Sequence, residues 1–455
     1  MNFKSILAAG LVAMAALSSC SNDDNGANMP GIEGEATTMG LSFTLPTSAT
    51  RATEVGVGAE NTVSSITVYI FDGNGNAVTG NATTLTADDD NFKIEGTKYT
   101  LKEQIKTTAG PRKIYIAANV PAGVNSNTEA ALQASKLAMA AAAGTTFTMF
   151  SEVAEKNLAV QADGQTAGDN GEANKVVTTM ERVSAKVVVT KNTGAIEQSF
   201  TQPSTFKIEY EINQWGVGKD ANTVFAVKGA ATTGDLNAFD DSKFTNLVPD
   251  NGTAWGTYPT VYVGENTPAN GLVGEATYAM VRTRFTPSMV AKVDGSGVIA
   301  WEAIGTVPTN LYLVKNMLNN EVYFCKDNTI AQEVANKLIA DNGVEKSALV
   351  FPYMGRYAYF TVILNKDKAA KIARNEFIHV NIKGVADNNL FGGIPGDKDN
   401  GGTTPIDPET PIDPENPENP NPIDPEEPIE EKDAFLLFEV SVSPWLYTAS
   451  NIDLQ

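Results

Sequence analysis

The side chains from which chemistry would have to be built are few: two cysteines, one histidine and, over a long N-terminal stretch, one arginine. His379 stands in EFIHVNIKG and Cys325 in EVYFCKDN, each within a strand-like alternation. Both read as strand residues, Cys325 as a small buried apolar one. A single histidine and no cysteine pair leave no zinc ligand set and no Ser-His or Cys-His nucleophile arrangement. Asp72, Asn74 and Asn76 in DGNGN begin like a calcium loop. Ala77 stands at its glycine position and Thr83 at its bidentate-acid position, so a hairpin turn is expected instead. Asp88, Asp89 and Asp90 in TADDDNF read as an exposed acidic turn. Carboxylates are plentiful, yet nothing selects a pair for glycoside hydrolysis. The expectation is no enzyme activity, no cofactor and no metal. Arg51, in LPTSATRATEVGVG, is the only Lys or Arg from residue 21 to residue 92.

The remaining cysteine has a covalent use rather than a catalytic one. MNFKSILAAGLVAMAALSSC offers Lys4, an apolar run from about Ile6 to Leu17, and small residues before Cys20. The run is too short to span a bilayer comfortably and reads as a signal peptide over 1–19. LSSC is similar to the bacterial lipobox, whose cysteine is diacylated and becomes the first residue of the exported chain. At 455 residues the chain reads as two domains plus appendages, with a globular composition. Its net charge of −21 argues against nucleic acid and anionic membrane surfaces, which need clustered Lys and Arg.

The elements that must position these residues are mostly strands. TTMGLSFTLP puts Met39, Leu41, Phe43 and Leu45 on one side of a half-buried strand ended by Pro46. SSITVYIFDGNG, KYTLKEQI and RKIYIAANVPAG continue the period-two pattern. A helix is expected over SNTEAALQASKLAMAAAAG, with Ser126 and Glu129 as a capping box and Gly144 as its stop. RVSAKVVVT followed by FKIEYEINQWGVG repeats the strand order of the first section, consistent with tandem β-sandwiches meeting near residue 180. PTVYVGE, ATYAMVRTRF, NLYLVKN, EVYFCKD, AYFTVILN and EFIHVNIKG are further strands, and a helix capped by Asn328 and closed by Gly343 interrupts them.

Residues 403–432 differ in kind. Prolines at 405, 408, 411, 414, 417, 420, 422, 425 and 428 match the three-residue turn of polyproline II. An extended, charged spacer that makes no core is expected there. Beyond it Ala434, Leu436, Phe438, Val440 and Val442 share one face of a strand. Pro444 breaks the ladder, and Leu446, Thr448, Ser450, Ile452 and Leu454 share one face of a second strand.

Taken in order, the lipobox, ITVYIFDGNG, RKIYIAANVPAG, MERVSAKVVV and FEVSVSPWLYTASNIDL resemble the Bacteroidales fimbrillins. These are the FimA-type and short-fimbria (type V pilus) major subunits of Porphyromonas and Bacteroides. SNDDN after Cys20 is similar to the acidic tags that send some Bacteroidota lipoproteins to the cell surface. The resemblance implies a mainly all-β chain of two tandem transthyretin-like β-sandwich domains with short helical insertions, a Pro-rich loop and a C-terminal strand. It implies an outer-membrane lipoprotein precursor, lipidated on Cys20, whose mature form stands in cell-surface fimbriae. An Arg-specific surface protease would cut after Arg51, leaving Ala52 as the mature N-terminus. The propeptide would span 20–51, the N-terminal domain 52–180, the C-terminal domain 181–443 and a donor strand 444–455. Removal of the strand bearing Met39, Leu41, Phe43 and Leu45 would open a groove. The tail of a neighbouring copy, with Leu446, Ile452 and Leu454 as pocket fillers, would fill it and propagate a homopolymer. A chain ended before Trp445 is then expected to fold without polymerising. Cutting would leave 31 basic and 50 acidic side chains, a net charge of −19.

Two alternatives remain open at the level of sequence. One is an accessory tip or anchor subunit working with other fimbrial subunits, an anchor keeping its N-terminal segment and lipid. The other is a monomeric surface lipoprotein adhesin that binds glycan or host protein through its loops. The adhesion ligand is not specified by any motif.

Overall fold

The computed structural model describes residues 34–46, 58–160, 173–228, 236–237, 239–250, 258–403, 405, 429 and 436–445. Among these, β-branched and aromatic residues in period-two order build twenty-eight strands. The first eleven belong to the N-terminal half. They begin with β1 (Ala36–Thr44), β2 (Ser65–Asp72), β3 (Thr83–Thr86), β4 (Phe92–Glu95) and β5 (Lys98–Leu101). Next come β6 (Ile105–Thr108), β7 (Gly110–Ala118), α1 (Glu129–Gln133), β8 (Lys136–Ala138) and α2 (Met139–Ala142). β9 (Met149–Ser151), β10 (Ala154–Leu158) and β11 (Lys175–Arg182) close this half. The ladder runs β3-β2-β7-β9-β11-β1-β5-β4, with β10 on β7 and β6 on β1. It folds over on itself, so that Ile66, Val68 and Ile70 of β2 and Ile114 and Ile116 of β7 share a core with Met39, Leu41 and Phe43.

β11 ends at Arg182 and β12 (Ala185–Lys191) starts a different sheet, so position 180 falls inside β11. Then follow β13 (Ile196–Phe200), β14 (Phe206–Gly218), β15 (Thr223–Phe225), β16 (Thr245–Asn246), β17 (Val248–Pro249) and β18 (Thr260–Val263). After these come β19 (Tyr278–Pro287), β20 (Met289–Val293), β21 (Ile299–Ala303), β22 (Leu311–Asn316) and β23 (Val322–Cys325). The chain continues through α3 (Asn328–Asn342), β24 (Ala348–Tyr353), β25 (Tyr357–Ile363), β26 (Glu376–Val385), β27 (Ile394–Pro395) and β28 (Leu436–Pro444). One sheet runs β17-β12-β26-β28 with β18 on β12, and a second runs β13-β14-β19-β25-β27 with β16 on β14. Their inner faces meet in one core: Val187, Val189, Ile378 and Val380 from the first, and Tyr210, Trp215, Val281 and Phe285 from the second. This is sheet-on-sheet packing of alternating strands. The described residues are mainly β.

Three sequence expectations need correction here. The long alanine-rich helix is absent: α1 covers only Glu129–Gln133, and Lys136–Ala138 is a strand paired with β15. Thr128, not Ser126, caps α1, its Oγ1 accepting from Ala131 N at 3.1 Å. Glu129 instead accepts from Tyr115 Oη at 2.7 Å and Lys113 Nζ at 2.8 Å. Leu137 and Val224 lie in one apolar cluster with Tyr69 and Phe150, and this burial outweighs alanine's helix preference. In α3 the N-cap is Asp327, one residue before Asn328, while Gly343 does close the helix at φ 66°. Finally, the Pro-rich segment is not wholly outside the core. Ile429 is buried against Tyr278 and Tyr359, and its amide donates to Gly271 O at 2.9 Å.

Candidate functional site

β1 is held along both edges. Its first half, Ala36–Met39, pairs antiparallel with β6, and Ser42–Thr44 pairs antiparallel with β5. On the other edge Gly40–Thr44 runs parallel to Lys175–Thr179 of β11. Met39, Leu41, Phe43 and Leu45 are at most 1% exposed and lie together in one core. The Phe43 ring stacks on Tyr99 at 5.0 Å and meets Phe92 edge-on at 6.0 Å. The strand reads as half-buried by its alternation, yet its other face is covered too: Thr38 and Ser42 are buried, as is Thr37 on the apolar face. Their polar atoms are paired, as burial demands. Thr37 Oγ1 donates to Ala159 O at 2.7 Å, and Thr38 Oγ1 donates to Gln104. Asn174 Nδ2 reaches Thr37 Oγ1 at 3.1 Å and Thr38 O at 3.0 Å.

Cys20, Arg51, Ala52, Leu446, Ile452 and Leu454 lie outside the described residues, as does Ala434. The other six arginines of the chain are within them, and all are buried or half-buried. Arg112 donates to Thr108 O at 3.0 Å and Pro111 O at 2.7 Å. Arg374 pairs with Glu265 at 2.5 Å. Arg282 and Arg284 project from β19 over the Tyr357 ring at 5.2 and 5.0 Å. Arg356 bonds Thr286 Oγ1 at 2.5 Å.

Arg182 is fully buried at the end of β11, where it meets residues that period-two reasoning did not connect. Its Nε and Nη2 donate to Glu60 O at 3.2 and 3.0 Å, and its Nη1 donates to Trp445 O at 2.8 Å. The guanidinium lies 4.3 Å from the centre of the Trp445 ring. Lys186, also fully buried, pairs with the Glu60 carboxylate at 3.1 Å, and Tyr262 Oη donates to the same carboxylate at 2.5 Å. The signal available beforehand was MERVSAKVVV, a stretch with two cations inside an apolar strand pair.

The tail approaches this cluster along β26. β28 pairs antiparallel with β26 from Leu436 to Pro444, and its alternate residues Leu436, Phe438, Val440 and Val442 face the C-terminal core. The ladder therefore runs through Pro444. Trp445 is 0% exposed, its amide donating to Asn375 O at 2.8 Å and its ring packed on Tyr262 at 5.6 Å and Phe147 at 5.2 Å. A chain ended before Trp445 thus loses a buried indole, and a clean removal of the tail starts at Leu446.

Cys325, His379 and Asp72 sit elsewhere. Burial pushes the Cys325 thiol up to about 12. His379 Nε2 lies 2.8 Å from Thr190 Oγ1. Asp72 accepts from the amides of Asn74 and Asn76 at 2.9 and 2.8 Å, which closes the DGNGN turn. Among the described residues no group of three or more His, Cys, Asp or Glu is placed to hold a metal ion.

Residues 39–184 match the family model for the major fimbrial subunit protein (FimA). No curated protein matches the chain. Among solved structures, a fimbrilin (fimA) from Porphyromonas gingivalis is similar at 15% identity and a TM-score of 0.45, covering 90% of this chain and 99% of its own. The tip fimbrial protein Mfa3 from the same organism, solved with a C-terminal truncation, is similar at 12% identity and a TM-score of 0.35. That match covers 77% of this chain and 97% of the other. A fimbrial assembly protein from Parabacteroides distasonis is similar at 13% identity and a TM-score of 0.30, over 64% of this chain and 99% of its own. Residues 39–184, which take in β11 and all but the first three residues of β1, are thus similar to the major fimbrial subunit (FimA) family.

Proposed function

We propose that the chain is a structural pilin subunit of a cell-surface fimbria. It is exported as a lipoprotein anchored through Cys20, cut after Arg51 by an Arg-specific surface protease, and polymerised by its own tail. Cutting frees the segment that contains β1 together with its lipid. The vacated slot is bordered by unpaired edges of β11, β5 and β6 and by the apolar places of Met39, Leu41, Phe43 and Leu45. Each such side chain contributes about 1.5–3 kcal/mol when buried, so an empty slot is strongly unfavourable. Leu446, Ile452 and Leu454 of a second copy enter it, restoring ladder and core by β-augmentation. Donor and acceptor lie at opposite ends of one chain, so the contact is heterologous and extends into a filament.

The observation that supports this reading most is the position of β1: a strand paired on both edges and buried on both faces, ending seven residues before Arg51. The shielding of the other six arginines adds to it. The test is treatment of the purified full chain with an Arg-specific protease, followed by N-terminal sequencing and an SDS gel without boiling. Ala52 should become the new terminus and SDS-resistant ladders should follow, while Arg51→Ala stays full length and monomeric. Polymerisation of Arg51→Ala at the wild-type rate overturns the proposal.

A further inference from the structure

Three remote segments converge on one buried point. They are the first described turn after Arg51 (Gly58–Asn61), the Arg182–Lys186 junction between the two halves, and Trp445, where the described tail ends. Arg182 holds Glu60 O with two of its nitrogens, Asn61 Oδ1 at 3.2 Å and Trp445 O at 2.8 Å. Lys186 and Tyr262 hold the Glu60 carboxylate, and the Trp445 indole packs against both the Arg182 guanidinium and the Tyr262 ring. Burying an ion pair gains little stability over apolar packing of the same volume, so stability alone does not explain this set. What such groups do supply is a single geometry, because the donors of Arg182, Lys186 and Tyr262 are each tied to particular acceptors.

We infer that Arg182, Lys186, Glu60 and Trp445 form a positioning clasp that fixes where the polymerising tail leaves the subunit, and registers that exit to the start of the mature chain. This rests on the polymerisation reading above. Leu454 is nine residues beyond Trp445, a reach of about 30 Å when extended. A loose root would spread the tail over that whole radius. A fixed root confines it and lowers the entropy lost when it enters a neighbour's groove. Arg182, Lys186 and Glu60 are positioning residues, since they act on the tail only through Trp445 and the backbone beside it.

The test separates the donor role from the acceptor role. A donor-only protein is the full chain with Arg51→Ala, which keeps its own β1. An acceptor-only protein is the chain ending at Trp445, cut after Arg51. Mixed, the two form a heterodimer whose rate of appearance is read by size-exclusion chromatography. Trp445→Ala placed in the donor slows dimer formation by about tenfold or more, and the same change in the acceptor leaves the rate within about twofold. Trp445→Leu keeps an apolar plug without the stacked indole. It is read in place of Trp445→Ala if the latter does not fold, with the same donor-specific loss expected. An equal loss in both roles means that Trp445 only stabilises the fold, and no loss in the donor means that the root needs no fixing; either result overturns the clasp. Absence of dimer from the two unmodified partners would instead overturn the polymerisation reading itself.

Discussion

His379 sits in β26 with Nε2 2.8 Å from Thr190 Oγ1, and burial holds its imidazole below the ordinary histidine range. Asp250 and Glu439 pull the value back up and Lys383 pushes it further down, but desolvation is the largest cause. The neutral form is therefore favoured in the folded chain. As pH falls through about 6.5, the unfolded imidazole takes up its proton first, so this residue's contribution is present above that pH and is lost on acidification. Removing the group should flatten the slope: between about pH 7 and pH 5, His379→Gln should lose less stability to urea than wild type does. An unchanged slope would show that the carboxylates alone set the acid response. Residue types were sufficient to place His379 and Cys325 in strands. The clasp was not legible in the same way. Glu60, Arg182 and Trp445 are separated by 122 and 263 positions, and nothing in the local pattern of any one of them names the others.

The strand β1 shows at the scale of an element what alternation does and does not reveal. Met39, Leu41, Phe43 and Leu45 mark an apolar face, and that face is buried. Thr37, Thr38 and Ser42 look solvent-facing by type, yet neighbouring segments, Asn174 among them, cover them. Phe43→Ala should lower the stability of the uncut chain by about 3–5 kcal/mol, the usual cost of removing a buried aromatic ring. After cutting and polymerisation the same substitution should have no effect, because the strand that bears it has left. Urea melts of the uncut chain and of the filament compare the two states. A filament weakened as much as the precursor would mean that β1 stays in place. The alanine-rich stretch after Thr128 carries the opposite lesson: good helix formers at Lys136–Ala138 became a strand because β15 offered edge pairing and an apolar cluster.

For the whole molecule, the distribution of arginines makes the simplest forecast. An Arg-specific protease acting on the folded chain should produce one new terminus, Ala52. After urea unfolding, fragments should end at all seven arginines, including the buried Arg112, Arg182 and Arg374. Mass spectrometry of the two digests decides it, and a native cut at Arg282, Arg284 or Arg356 would remove the selectivity argument. The net charge of −21 leaves the surface acidic, a state that favours solubility over nonspecific association. By itself the chain's alternation determined that this is a strand-built protein and which faces of its strands are apolar. Only the tertiary structure decided that β1 lies between β11 and the β5–β6 edge, that Trp445 is a plug and Ile429 an anchor, and that a single buried cluster ties the turn after the linker to the root of the tail. The reason is physical: period two is a property of neighbouring residues. Which surface covers a strand is settled by competition among all the apolar faces of the chain, most of them far away in sequence.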